Sequence, residues 1–107
     1  MDMKQEGGVL TVHLAGEIDH CASLPLREAI EERLKAPEIK RLLLDFSDVT
    51  FMDSSGVGMI IGRYKTMAAR GGSVGACGLH PPVDRLFHMA GLHRIIDIEP
   101  AGRQEDA

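Results

Sequence analysis

No apolar run in this 107-residue chain approaches the length that crosses a membrane. The N-terminus, Met1-Asp2-Met3-Lys4-Gln5-Glu6, has no apolar core of the kind a secretory signal carries. Basic excess is missing too: 12 Lys and Arg stand against 16 Asp and Glu, for a formal charge of -4. A nucleic-acid binder would show a basic stripe, so the balance argues against that class and favours a partner with a basic surface. Cysteine occurs only twice, at Cys21 and Cys77, in a predicted helix start and a predicted strand. Such usage fits reduced thiols in a cytoplasm better than a disulfide framework. Repeats, linkers and low-complexity segments are lacking as well. What remains is an ordinary globular composition, 44% apolar and 26% charged, in a chain long enough to bury a real core. Residues 1–107 read as one domain, with 100–107 a polar, frayed tail.

The organising stretch is Leu42-Leu43-Leu44-Asp45-Phe46 followed by Met52-Asp53-Ser54-Ser55-Gly56. The apolar run is too short for a helix and does not alternate, which predicts a strand buried on both faces. A helical pattern follows from about Ser54 to Arg70, with Val57, Ile60, Ile61, Tyr64 and Met67 or Ala68 as its inward face. Gly71-Gly72 ends it. Upstream, Met1 to Gln5 predicts a short edge strand and Val9 to Leu14 a one-sided strand, with Leu10, Val12 and Leu14 on one face. Gly16-Glu17-Ile18-Asp19-His20 reads as a loop carrying two carboxylates. A first helix then carries Leu26, Ala29, Ile30, Arg33 and Leu34, with Pro25 in its first turn, Ser23 as cap and Pro37 as stop. Ser73 to Cys77 reads as a strand. A third helix after His80-Pro81-Pro82 buries Val83, Leu86, Phe87 and Ala90, and Ile95 to Ile98 forms a last strand. Strands alternating with three helices predict an α/β fold with a mostly parallel sheet of four or five strands.

The chemistry concentrates at Asp53-Ser54-Ser55. A cap explains one of these residues, at about 1 kcal/mol. It does not explain Gly58 and Gly62, each of which costs a helix interior up to about 1 kcal/mol relative to alanine. With Ser55 they form a strip without bulky side chains, read here as an exposed docking surface. Nucleotide-binding readings fail on spacing: Gly56, Gly58 and Gly62 give G-x-G-x-x-x-G, and no lysine follows as in a P-loop. Met52 stands where a hydrolase elbow needs glycine before Ser54. The five histidines are scattered, and His20 beside Cys21 completes no metal spacing. No enzyme, cofactor or metal site is therefore expected. One role remains: Ser54 or Ser55 as acceptor of a phosphate, whose charge of roughly -1.5 to -2 would sit at a helix N-terminus.

Phe51-Met52-Asp53-Ser54-Ser55-Gly56-Val57-Gly58, Gly62-Arg63-Tyr64-Lys65, Val83 to Leu92, Ile95-Ile96 and Gly16-Glu17-Ile18-Asp19-His20 together resemble the STAS family of anti-sigma factor antagonists, in particular its sporulation members. The resemblance spans nearly the whole chain. It implies a STAS-like domain regulating sporulation transcription by partner switching. The unphosphorylated protein would bind an ATP-dependent anti-sigma factor serine kinase and displace the sigma factor. Phosphorylation at Ser54 (Ser55 second) would end binding, and a metal-dependent serine phosphatase would reset it. The implied docking surface is Glu17, Asp19, Asp53, Ser54, Ser55, Gly58, Gly62 and Arg63. No nucleic acid, membrane or cofactor is implied, and the implied location is cytoplasmic. Two departures stand out: the family's further C-terminal helix has no counterpart before Ala107, and Pro25 suggests a later start for the first helix. Alternatives are an antagonist for a general stress-response sigma factor and, from another class, a small-molecule-binding or hydrolytic α/β domain.

Overall fold

The computed structural model describes residues 1–100. In chain order they form β1 (Asp2–Glu6), β2 (Val9–Ile18), α1 (His20–Arg33), β3 (Arg41–Met52), α2 (Ser54–Ala69), β4 (Ser73–Cys77), α3 (Pro81–Met89), a 3-10 turn (Leu92–Arg94) and β5 (Asp97–Ile98). The sheet order is β1-β2-β3-β4-β5, with β1 antiparallel to β2 and every later pair parallel. Each crossover moves one strand in the same direction. A constant right hand then sends all three helices to one face.

Strand alternation makes that face the core. Leu10, Val12 and Leu14 of β2, Leu42, Leu44 and Phe46 of β3, and Val74 and Ala76 of β4 meet Ile30 and Leu34 from the α1 segment, Met59, Ile60 and Met67 of α2, and Val83 and Phe87 of α3. Phe46 and Phe87 pack edge to face with ring centres 5.4 Å apart, the geometry that ring quadrupoles favour. Leu42 to Phe46 was expected to be sealed on both faces. Only its even-numbered residues are, and Leu43 and Asp45 lie half-buried on the opposite, helix-free face.

Other differences have local causes. The expected loop at Gly16 is strand: β2 continues to Ile18 through register shifts after His13 and Gly16, with Gly16 at φ +78°, a bulge that glycine accommodates. Helix α1 starts at His20, earlier than Pro25 suggested, because Asp19 and not Ser23 is its cap. Pro25 lies inside the helix, where its ring removes one backbone donor. Ser23 is buried and donates its hydroxyl to the Asp19 carbonyl at 2.8 Å. The inward face of α2 is Gly56, Met59, Ile60, Arg63 and Met67, about one residue round from the predicted stripe, leaving Val57, Ile61 and Tyr64 at its margin. Ala90 is exposed at the end of α3, and the last strand shrinks to Asp97–Ile98 because Leu92–Arg94 coils first. Of the tail expected at 100–107, residues 101–107 fall outside the described residues, as does any further C-terminal helix.

Candidate switch site and docking face

Parallel pairing of β2 and β3 sets two helix starts side by side. Glu17 lies opposite Phe51 and Ile18 opposite Met52, and the Asp53 amide donates to the Ile18 carbonyl at 3.3 Å. Both following helices are capped by an aspartate in extended conformation. Asp19 Oδ1 accepts from the Ala22 amide at 3.0 Å, and Asp53 Oδ1 accepts from the Ser55 amide at 2.8 Å. Ser54 is the first residue of α2 and is exposed, whereas Ser55 is half-buried. Neither serine hydroxyl has a hydrogen-bond partner among the described residues. Glu17, Asp19, Asp53, Ser54 and Ser55 thus gather where β2 and β3 end, the edge at which open α/β sheets place their sites.

The three glycines of α2 differ. A Cβ on Gly58 or Gly62 would meet no atom within 4 Å. A Cβ on Gly56 would run into Met52, with its Sδ at 2.7 Å and Ile18 Cγ2 at 3.1 Å. Gly56 is therefore a packing glycine, and Gly58 and Gly62 line open surface. Ser55, Gly58 and Met59 face His20, Ser23, Leu24 and Arg27 of α1 across a cleft of about 210 Å³.

Arg63 does not share that open surface as expected. It is 7% exposed and turned toward α1, where its Nε lies 2.6 Å from Glu31 Oε2. Glu31 Oε2 also accepts the Thr66 hydroxyl at 3.0 Å, while Arg63 Nη1 has no acceptor among the described residues. Burial pushes the guanidinium below its usual range; the Glu31 carboxylate opposes this and the Arg27 charge adds to it. Arg63 clamps α2 to α1, and its chain spacing gave no hint of Glu31.

A second polar cluster pins β2 just before its bulge. His13 Nε2 is 2.7 Å from Asp48 and its Nδ1 3.2 Å from Asp45. A neutral imidazole has one N–H and can donate to only one carboxylate; the imidazolium serves both. Hydrogen bonds to Asp48 and then Asp45 raise the His13 pKa above 6.5, outweighing burial. Burial pushes Asp45 up, but the Ser47 amide and hydroxyl and His13 together hold it below its usual value. Among the described residues, no three His, Cys, Asp or Glu side chains are grouped to hold a metal ion.

A STAS domain profile matches residues 1–104. The chain belongs to the STAS domain family. This STAS chain is 40% identical over 98 residues to an anti-sigma F factor antagonist of Paenibacillus polymyxa, covering 92% of this chain and 84% of that one. It is 37% identical over 98 residues to an anti-sigma-B factor antagonist of Bacillus subtilis (strain 168), covering 92% and 88%. Its fold is similar to that of the anti-sigma factor antagonist SpoIIAA in its unphosphorylated form, with a TM-score of 0.78 at 24% identity over 98% of this chain and 92% of that one. Against SpoIIAA in the phosphorylated form the TM-score is 0.76 at 24% identity, over 98% and 96%. The relatives are thus antagonists of both F and B kinds. Among the described residues no helix is long and apolar enough to cross a membrane.

Proposed function

We propose that this STAS chain is an anti-sigma factor antagonist whose binding is switched off by phosphorylation on Ser54. The observation that carries the reading is Ser54 itself: an exposed hydroxyl, without a partner among the described residues, at the first position of a capped helix and beside an open glycine strip. An anti-sigma factor serine kinase would move the terminal phosphoryl group of ATP onto Ser54 Oγ, and a metal-dependent serine phosphatase would remove it. The helix amides and dipole can host the new anion, so the fold persists. The cost falls on association. Charge is added to a face already carrying Glu17, Asp19 and Asp53, and close approach over Gly58 and Gly62 is lost.

Incubation with the kinase and ATP should add one phosphate by intact mass, mapped to Ser54 and abolished in Ser54→Ala but not Ser55→Ala. Ser54→Asp should keep the fold and lose binding. Tight binding by Ser54→Asp would end the proposal. The F and B identities of 40% and 37% keep a stress-response antagonist as a second reading. Which kinase co-purifies, sporulation or stress, separates the two.

A further inference from the structure

Among the described residues, six large apolar side chains are exposed: Met1, Val9, Leu24, Phe51, Met89 and Ile98. Two of them converge. Phe51, 49% exposed near the end of β3, and Met89, 84% exposed at the end of α3, wall a concavity of about 290 Å³ completed by Met52, Pro82, Arg85 and Leu86. Its lining is apolar except for Arg85, which makes no hydrogen bond or ion pair among the described residues. An adaptable methionine, an aromatic ring and an unpaired arginine are residue types that carry binding energy at protein interfaces.

We propose that this cup is a second docking point for the partner that engages Ser54. It takes a partner segment in which a large apolar side chain stands next to a carboxylate. The apolar group lodges between Phe51 and Met89, and the carboxylate pairs with Arg85. Two observations choose this occupant. The cup is continuous with the switch, since Phe51 and Met52 run directly into the capping Asp53 and the acceptor Ser54. The charges also complement in order: the switch side carries Glu17, Asp19 and Asp53, whereas the cup carries an unpaired cation. A partner spanning both must be basic over the first and acidic over the second, which fixes its orientation.

The inference rests on the reading of Ser54 as the partner's target, and the test separates the two. Binding of the unphosphorylated full chain to the cognate anti-sigma kinase is measured by calorimetry for wild type, Met89→Glu, Arg85→Glu, Ser54→Asp and Gly62→Gln. Met89→Glu and Arg85→Glu should each weaken binding by about tenfold or more, with unchanged far-UV circular dichroism and melting temperature. Lysine substitution of one partner carboxylate should restore binding to Arg85→Glu. If both cup variants bind as wild type while Ser54→Asp and Gly62→Gln lose affinity, the cup proposal falls and the switch stands. Loss by the cup variants with full binding by Ser54→Asp supports the cup and overturns the switch. If Met89→Glu instead abolishes self-association and leaves kinase binding intact, the occupant is a second copy and the proposal is wrong.

Discussion

Alanine at Gly58 and Gly62 should make the protein more stable. Each glycine sits inside α2, and an added Cβ meets nothing within 4 Å, so no packing term opposes the change. Alanine is favoured over glycine in a helix interior by about 1 kcal/mol, partly because it narrows the unfolded ensemble. The double variant should gain roughly 1–2 kcal/mol, allowing that Gly62 is partly covered. For a domain of about this size that corresponds to a melting point higher by about 4–10 °C. Gly56→Ala is the control with the opposite sign. Its helix gain is similar, but the Cβ would press on the buried Met52 and on Ile18, an overpacking cost of about 1–3 kcal/mol. Urea and thermal unfolding followed by circular dichroism would rank the variants Gly58→Ala/Gly62→Ala above wild type and wild type above Gly56→Ala. A loss of more than about 1 kcal/mol in the Gly58/Gly62 variant would show those positions packed inside and refute the reasoning.

Gly62→Gln, for the same helix-propensity reason, should not lower the melting temperature, yet should weaken the partner complex, measured by calorimetry. Glu31→Ala strands the Arg63 guanidinium in a buried position without its counter-charge; because Glu31 is itself about one-third exposed, the loss should be about 2 kcal/mol in urea unfolding, below the range for a fully buried pair. Glu31→Ala combined with Arg63→Met should recover most of it. For His13 the folded pKa lies above 6.5, so its contribution is complete below pH 6.5 and fades as pH rises through the folded value. The stability gap between wild type and His13→Gln should accordingly shrink from about pH 6.5 upward, and a gap that widens would exclude the imidazolium clamp. Asp45 acts in the other direction: its pKa is lowered from 3.8, and its contribution is lost as pH falls below that range.

What could be read from the chain beforehand was local. The apolar run before Asp53, the doubled glycine after Arg70 and the prolines before Val83 each signal an element end, and the strand-helix alternation follows from them. What escaped depends on partners far away in sequence. The family resemblance implies Arg63 on the docking surface, yet Glu31 supplies the counter-charge that lets it turn in. Gly16 reads as a loop because nothing nearby reveals that β3 continues alongside as far as Met52. Pro25 looks like a first-turn residue until Asp19 is seen to cap an earlier start. Phe51 and Met89 carry no signal at all, since their convergence is a product of how α3 lies along the end of β3.

Both helices that meet at this edge begin on an aspartate locked to a backbone amide, and one hydrogen bond ties the second start to the neighbouring strand. The Ser54 hydroxyl, proposed above as the phosphate acceptor, is therefore presented on a structured platform and not on a flexible tether. An enzyme acting on it gains nothing by threading a strand of substrate into an extended groove; it has to recognise a folded shape. A short linear copy of the same residues would lose the platform, and with it the recognition.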